Sequence, residues 1–422
     1  MTDNQPQNRV VITGIGIVSP LGLDTQTTWE GLINGRSGID HISLFDASNL
    51  AVRFGGEVKD FDPANYISRK DIRRMDRFAQ LAVAAGKQAL ENSGLGADES
   101  VRQDIGVIVG SGIGGLSVLF EQIKVFLEQG PDRVSPFLVP MMIADMAGAQ
   151  VSIQLGLKGP NFCTTSACSS GSDAIGTAFE KIRFGSAKII LAGGAESIMN
   201  PVGFAGFSAL KALSTRNEDP QTASRPFDAN RDGFVIAEGA AILVLEEMES
   251  AKARGANIIA EIIGYGGSSD AFHITQPVES GVEAARAINI ALNTAGIKPE
   301  AVDYINAHGT STPLNDKMET NAIKVAFGEH ARKLAISSTK SMLGHLIGGA
   351  GAIEASICAL TIKNGIIPPT INYTTPDPDC DLDYTPNTAR KAKVRVALNN
   401  SFGFGGHNSV LILREMGDEN IG

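Results

Sequence analysis

Two hydrophobic patterns alternate along the chain. Short runs rich in β-branched residues, each ending in a turn, predict buried strands at residues 9–14, 105–110, 188–193 and 302–308. Between them, apolar residues recur at helical spacing, which predicts helices that include residues 77–92 and 282–294. Strands that alternate with helices are typical of α/β proteins, so we expect mainly parallel sheets covered by helices.

The chain also repeats itself weakly. ALENSGL at residues 89–95 matches ALNTAGI at 291–297, and each is followed by a strand and a loop of small residues. Further along, Cys168 opens a small-residue helix that ends in IRFG, and GHLIGGAG from Gly344 leads to a helix that ends in IKNG. Three matches in one order predict two related halves, residues 1–255 and 256–422, whose sites meet at their junction. Residues 116–158 have no counterpart and are expected to form an insertion.

Composition narrows the function. The chain has 422 residues, 43% of them hydrophobic, and a net charge of -10, which argues against a general nucleic-acid or anionic-membrane binder. Polar residues interrupt every apolar run before it could span a bilayer, and no secretion signal is recognisable. Four cysteines without a CxxC pair predict reduced thiols in the cytoplasm. Zinc is not expected, because histidines and cysteines do not cluster at short spacings.

The segment GPNFCTTSACSSG at residues 159–171 contains the candidate nucleophile, Cys168. A cysteine at a helix start lies near free backbone N–H groups and the positive end of the helix dipole, so we expect a lowered thiol pKa. The alternative is a buried, inert cysteine, which is the commoner situation. The other three cysteines lack this context and are interpreted as structural.

Two histidines occupy loops suited to stabilising negative charge. His308 follows a predicted strand in NAHGTSTP, and His345 precedes a glycine-rich helix in KSMLGH. A thiolate that forms carbon–carbon bonds needs donors for the charge that develops on a thioester oxygen. Each histidine alone is more often structural, but their equivalent placement in the second half predicts that both face Cys168.

Four motifs, in this order, resemble the β-ketoacyl-acyl carrier protein synthases, above all the elongating synthase II group of the thiolase superfamily. They are TSACSSG, NAHGTSTPLND, KSMLGHLIGGAGAIE and NSFGFGGHN, and the resemblance runs from Val10 to Leu413. It implies a thiolase-like α/β fold, in which two βαβαβ halves stack as alternating helix and sheet layers (αβαβα). It also implies a homodimer, with the interface expected at residues 116–158.

The resemblance assigns roles to residues of this chain. Cys168 would accept the acyl chain, while His308 and His345 would bind the malonyl thioester carbonyl as carbon dioxide leaves. The backbone N–H groups of Cys168 and Phe404 would form an oxyanion hole, and Phe404 would also act as a gate. Further implied residues are Lys340 beside His345, Glu354 supporting it, Thr310, Thr312 and Thr275 on the pantetheine arm, and Ile113 and Phe207 in the acyl pocket.

The implied reaction is a decarboxylative condensation in fatty acid elongation, with acyl carrier protein as partner. No metal or cofactor is implied beyond the pantetheine of that carrier. A polyketide substrate remains open, because ACSS around Cys168 is also similar to polyketide ketosynthases. A thiolase would need a second cysteine in the C-terminal glycine-rich loop, which NSFGFGGHN lacks. A non-catalytic partner subunit would lack the nucleophile, which is present here.

Three other features have less specific interpretations. GSGIGG at residues 110–115 satisfies the dinucleotide-binding pattern but lacks its context, and SSTK at 337–340 satisfies an acyl-serine signature without its companion motifs. Residues 68–77 are the densest basic cluster in this acidic chain. Such a run is usually a solvated helix face. The sharper hypothesis is docking of an acidic carrier protein on Arg69, Lys70, Arg73, Arg74 and Arg216.

Overall fold

The structure, a computed structural model, describes residues 7–96 and 99–417. Within these residues, ten strands form one sheet and four short strands form two separate pairs. In chain order the strands are β1 (Val10–Val18), β2 (Asp40–His41), β3 (Phe54–Gly55), β4 (Gly106–Gly110), β5 (Asn161–Phe162), β6 (Ile189–Glu196), β7 (Gly239–Glu247), β8 (Ala260–Ser269), β9 (Tyr304–Asn306), β10 (Ala335–Ser337), β11 (Ile366–Ile367), β12 (Arg390–Lys391), β13 (Val396–Gly403) and β14 (His407–Arg414).

The helices connect these strands and cover the sheet. They are α1 (Thr25–Ile33), α2 (Arg69–Ile72), α3 (Arg77–Ser93), α4 (Glu99–Arg102), α5 (Leu116–Gln129), α6 (Leu138–Met142), α7 (Met146–Leu155), α8 (Ser170–Arg183), α9 (Pro201–Ala209), α10 (Met248–Ala253), α11 (Val282–Ala295), α12 (Pro313–Phe327), α13 (Lys340–Leu343) and α14 (Ala350–Asn364). None of the helices in the described part of the chain is long and apolar enough to cross a membrane.

The order of strands in the sheet repeats between its two ends. It runs β10-β9-β13-β14-β8-β1-β7-β6-β4-β5. Read from its outer edge, one end of the sheet is β10-β9-β13-β14-β8 and the other is β5-β4-β6-β7-β1. If the five strands of each end are numbered in chain order, both ends have the same order, 3-2-4-5-1. The two ends meet where β1 and β8 pair antiparallel, through Val10–Ile12 and Ala260–Ile262.

The sheet is mixed, so the expectation of mainly parallel sheets is wrong. The outer strands β4, β5 and β6 pair in parallel, as do β9, β10 and β13. The strands between them pair antiparallel: β6 with β7, β7 with β1, β1 with β8, β8 with β14 and β14 with β13. Strands buried on both faces read as continuous apolar runs in either arrangement, which is why the sequence did not reveal the direction.

Alternating side chains place helices on both faces of each sheet half. In β4, Val107 and Val109 pack in the cluster formed with α3 and α7, whereas Ile108 packs in the cluster formed with α8 and α14. In the other half, β13 and β14 pack Leu398 and Ile412 against α11 and α12. The helices α8 and α14 thus lie between the two sheet halves, giving five layers in the order helix, sheet, helix, sheet, helix.

Equivalent local features mark equivalent places in the two ends of the sheet. The helices α3 and α11 both end at a glycine in the left-handed region, Gly94 at φ 75° and Gly296 at φ 67°. The helices α8 and α14 each follow a 3₁₀ turn, Ala167–Ser169 and Ile347–Gly349. The expectation that all of residues 116–158 lack a counterpart is wrong in part, because α7 packs on α3 as α12 packs on α11.

Candidate active site

The turn before α8 holds Cys168 at the bottom of a cleft between the layers. Ala167, just ahead of it, adopts φ 51°, a left-handed conformation that costs free energy in a residue with a Cβ. The Phe404 N–H donates a hydrogen bond to the Cys168 sulfur. A Cβ on Gly403 would lie 2.7 Å from the Ser166 carbonyl oxygen and 3.2 Å from the Cys168 nitrogen, so this close approach requires glycine.

The two histidines reach the sulfur from loops that follow β9 and α13. Backbone N–H groups of His308 and Gly309 donate to the carboxylate of Glu319 on α12, at 2.8 and 2.7 Å, which fixes the loop after β9. The N–H of His345 donates to the Val235 carbonyl at 2.7 Å. The ring centroids of His308 and His345 lie 5.4 Å apart, and one nitrogen of each ring and the Cys168 sulfur all lie within 4.8 Å of one another.

Behind the histidines lies a buried ion pair between Lys340 and Glu354. The Lys340 Nζ also lies 3.4 Å from Nδ1 of His308. Lys340 thus contacts His308, whereas the sequence placed it beside His345. Because an ammonium group only donates, His308 Nδ1 accepts, and the proton of the neutral ring is on Nε2. Nδ1 of His345 is buried and has no hydrogen-bond partner within residues 7–96 and 99–417.

Burial dominates the titration of the site. It raises the pKa of the Cys168 thiol to about 12, although Lys340 and the Phe404 N–H act in the opposite direction. The expectation of a lowered thiol pKa is therefore wrong here, because desolvation of the thiolate outweighs the helix start. Burial, aided by Lys340, also holds the pKa values of His308 and His345 well below 6.5. At neutral pH both imidazoles are uncharged.

A cavity of about 490 Å³ opens above this group. Its walls bring together nine residues that the sequence singled out: Ile113, Cys168, Phe207, Thr275, His308, Thr310, Thr312, His345 and Phe404. Lys340 and Glu354 lie outside its lining. The hydroxyls of Thr310 and Thr312 are 3.0 Å apart, and the rings of Phe207 and Phe404 lie 6.4 Å apart. Mostly apolar walls around a few converging polar groups are typical of a substrate site.

The fold invalidates the spacing argument against a metal site. Thiol and imidazole are the ligands that zinc prefers, and the three grouped here come from segments that are far apart in sequence. The group therefore has the chemistry to bind a soft metal ion as well as to act as a nucleophile with two donors. Short-range spacing cannot detect a site that is assembled between the two halves of a chain.

Two buried glutamates in this region were missed by the sequence analysis. Glu319 accepts from the His308 loop and from Asn400 Nδ2, and Glu196 accepts from glycine-rich backbone beside the cavity. Burial raises the pKa of each to about 7. Glu319 lies on α12 and Glu196 at the end of β6, and neither belongs to a recognisable motif. Only their complete burial makes them conspicuous.

The basic cluster lies away from the cavity. Arg69 and Lys70 are on α2, and Arg73 and Arg74 follow it; all four are exposed, and none lines the cavity. Arg74 stacks over Phe137, 4.5 Å from its ring centroid. Arg216 is separate from them. It is half-buried and 3.5 Å from Asp232, a residue of the cavity wall.

Comparison with known proteins identifies the family. Models for the N-terminal and C-terminal domains of β-ketoacyl synthases match residues 7–251 and 259–374. The chain belongs to the β-ketoacyl synthase family. A 3-oxoacyl-[acyl-carrier-protein] synthase 2 from Synechocystis sp. is 54% identical to this synthase over 412 residues, 98% of this chain and 99% of that protein. The protein of the same name from Staphylococcus aureus strain COL is 51% identical over 407 residues, 96% and 98% of the two chains.

Solved structures agree with the fold of this synthase. The ketosynthase in a complex with its type II polyketide acyl carrier protein superposes with a TM-score of 0.90 at 37% identity, covering 97% of this chain and 100% of that one. The predicted family, the thiolase-like fold and the enzyme class, a condensing acyltransferase of the synthase II type that acts in fatty acid elongation, are confirmed.

Proposed function

We propose that this synthase extends a Cys168-bound acyl chain by decarboxylative condensation with malonyl-acyl carrier protein. The main support for this proposal is that the Cys168 sulfur and one ring nitrogen each of His308 and His345 lie within 4.8 Å of one another at the base of the cavity. A nucleophile and two neutral donors at one point are what acyl transfer followed by enolate formation requires.

The first half-reaction transfers the acyl group. The Cys168 sulfur attacks the acyl thioester, the bond from the acyl carbon to the carrier sulfur breaks, and the carrier thiol leaves with the proton that the cysteine gave up. Because the thiol is protonated at rest, a neighbouring neutral imidazole must take that proton first. The N–H groups of Cys168 and Phe404 form the proposed oxyanion hole. Phe404, followed by Gly405 and Gly406 at φ 85° and 77°, is the proposed gate.

The second half-reaction forms the carbon–carbon bond. The bond to the malonyl carboxylate breaks, carbon dioxide leaves, and the electron pair enters an enolate whose oxygen accepts from His308 and His345. The carbanion then attacks the acyl-cysteine, the bond from the acyl carbon to the cysteine sulfur breaks, and the Cys168 thiolate takes up a proton from solvent. Lys340 and Glu354 keep Nε2–H of His308 directed at that oxygen. Thr310, Thr312 and Thr275 would contact the pantetheine arm, and Ile113 and Phe207 the acyl chain.

Mass spectrometry tests this proposal directly. Incubation with an acyl thioester should add one acyl group to the wild-type chain and to Cys163→Ala, a control at the half-buried cysteine nearest in sequence. Cys168→Ala should gain no acyl group and should lose condensation with malonyl-acyl carrier protein. Acylation of Cys168→Ala at another residue would show that the nucleophile is wrongly assigned.

We also propose that the carrier docks on Arg69, Lys70, Arg73, Arg74 and Arg216, as an acidic protein would. The solved polyketide ketosynthase has an acyl carrier protein bound, which supports a carrier as partner. Reversing the charges of Lys70 and Arg74 should raise KM for carrier-bound substrate and leave small thioesters unaffected. Lys252→Glu, a reversal at an exposed residue of α10 that does not line the cavity, is the control. Unchanged kinetics on both substrates would remove this docking site.

Further proposals concern assembly and location. A homodimer through residues 116–158 is supported by exposed apolar side chains there, among them Leu127, Val139 and Ile153, and analytical ultracentrifugation would test it. The division into halves at residues 1–255 and 256–422 is supported by the repeated strand order and by the change of family model between 251 and 259. Four free cysteines favour a cytoplasmic location. We propose no cofactor beyond the pantetheine of the carrier.

A further inference from the structure

A buried carboxylate lies where the two halves meet beside the nucleophile. Glu196 is the last residue of β6 and has no exposed surface. Its Oε2 accepts from the N–H groups of Gly112 and Gly348 at 2.7 and 3.1 Å. Its Oε1 accepts from the Ser111 hydroxyl at 2.9 Å and the Gly114 N–H at 3.3 Å. Within residues 7–96 and 99–417, no cationic side chain pairs with Glu196, so these four donors alone balance its charge.

These donors belong to two loops that form the wall of the cavity. Ser111 to Gly114 follow β4 in the first half, and Gly348 lies in the turn before α14 in the second. The loops touch, since a Cβ on Gly348 would lie 2.2 Å from the Gly112 nitrogen and one on Gly112 3.2 Å from the Ile347 side chain. Ile113 and Ile347 both line the cavity with Cys168, and Ile347 packs in one apolar cluster with it.

The same contacts explain the dinucleotide-like motif GSGIGG. In a nucleotide site, the N–H groups of such a loop donate to phosphate oxygens. Here Gly112 and Gly114 donate to the carboxylate of Glu196 instead. Glu196 occupies the place of an anionic ligand, and the glycine-rich loop is closed around it.

We propose that Glu196 is a positioning residue for the acyl chain, which holds Ile113 and Ile347 at a fixed spacing beside Cys168. The inference rests on the proposed function, because it assigns the space between these side chains to the acyl carbons nearest the thioester. Above its pKa of about 7, the negative charge of Glu196 has a second, separable effect. The charge raises the pKa of the Cys168 thiol, whereas Lys340 lowers it. It therefore favours the protonated thiol until a histidine takes the proton.

Two substitutions separate position from charge. In Glu196→Gln, the amide oxygen can accept from Gly112 and Gly348 while its NH₂ donates to the Ser111 hydroxyl, so the wall is kept and the charge is lost. Glu196→Asp keeps the charge but is one methylene shorter and cannot reach all four donors. Glu246 is equally buried but is paired with Arg254, and it lies at the opposite end of the paired strands β6 and β7 from Glu196. It provides the matched controls Glu246→Gln and Glu246→Asp.

The readouts are kcat/KM for acyl thioesters of increasing chain length and the rate of Cys168 alkylation by iodoacetamide against pH. Glu196→Asp should change the long-to-short ratio of kcat/KM by about fivefold or more, the equivalent of one net hydrogen bond. Glu196→Gln should keep that ratio, and at pH values above 7, where wild-type Glu196 is charged, its Cys168 should be alkylated faster than in the wild type. The Glu246 variants should change neither. If Glu196→Asp does not fold, Ser111→Ala, which removes one donor, takes its place and should change the long-to-short ratio by a factor smaller than about fivefold but measurable.

An unchanged chain-length ratio in Glu196→Asp or Ser111→Ala would overturn the inference, as would an equal loss for every chain length. Wild-type acylation in the same experiments separates this failure from a wider one. If wild-type Cys168 is not acylated, the proposed function fails; if it is acylated and only the ratio is unaffected, the role of Glu196 alone is wrong.

Discussion

The buried pair of Lys340 and Glu354 allows stability and catalysis to be separated. The two side chains are 3% and 1% exposed, so removal of one partner leaves the other as a buried, unpaired group. Breaking such a pair costs about 3–5 kcal/mol of unfolding free energy, whereas replacing both members with apolar residues is often neutral. We therefore expect Lys340→Met to be destabilised by about that amount, and the double variant Lys340→Met/Glu354→Leu to recover most of it.

The loss in Lys340→Met should depend on pH. Burial already raises the pKa of Glu354 to about 7 with Lys340 present, and removal of the ammonium raises it further. A carboxyl whose folded pKa exceeds its unfolded value is stabilising at low pH and loses that contribution as pH rises. The deficit of Lys340→Met relative to the wild type should hence stay constant up to about pH 7, where both proteins lose stability alike, and then grow by about 1.4 kcal/mol per pH unit until the folded pKa of Glu354 in the variant is passed.

Activity should not recover with stability. Without Lys340, nothing fixes the proton of His308 on Nε2, and the donor to the enolate oxygen is lost in part of the molecules. We expect kcat to fall about 100-fold or more in both the single and the double variant. Urea unfolding and a condensation assay with malonyl-acyl carrier protein measure the two quantities. A double variant that regains activity together with stability would refute this role for Lys340.

Three further outcomes follow from the site. Alkylation of Cys168 by iodoacetamide should accelerate from pH 7 to 10 without a plateau, since burial raises the thiol pKa to about 12. A plateau below pH 8 would show that the helix start lowers the thiol pKa more than burial raises it. Zn²⁺ or Cd²⁺ should inhibit condensation competitively with acyl thioester, because the Cys168 sulfur and the two imidazoles lie within 4.8 Å of one another. Malonyl decarboxylation does not need an acylated cysteine and can be measured in Cys168→Ala. If the metal inhibits that reaction as strongly as it inhibits the wild type, it binds at another site. His308→Ala should slow malonyl decarboxylation about 100-fold or more while Cys168 is still acylated, as mass spectrometry would show, because His345 is left to take the thiol proton.

Much of the fold could be predicted because local signals were strong. The helix expected at 77–92 is α3, Arg77–Ser93, and its end at Gly94 follows from a left-handed residue that glycine tolerates. Strand direction could not be predicted, since β7 and β6 are buried on both faces and read alike in parallel or antiparallel pairs. The direction of a strand depends on the long connections that lead to it from the previous strand, and these cannot be read from the strand's own residues.

The site divides in the same way. Cys168, His308 and His345 lie in recognisable motifs, so their convergence could be anticipated from the repeat. The thiol pKa could not, because desolvation depends on side chains from both halves that close over the sulfur. Glu196 and Glu319 were missed for a related reason. Their partners are backbone N–H groups of loops, which leave no signature in side-chain chemistry.

The turns before α8 and α14 are alike in backbone but differ in one residue, which explains why only the first is expected to react with substrate. Both begin with a left-handed residue, Ala167 at φ 51° and Ile347 at φ 45°, so the second residue of each turn occupies a comparable place. In the first turn that residue is Cys168. In the second it is Gly348, where any side chain would collide with the Gly112 nitrogen. The first turn thus presents a thiol to the substrate, while the second packs its backbone directly against the loop that contains Gly112. Complete labelling should accordingly stop at a single acyl group for every polypeptide.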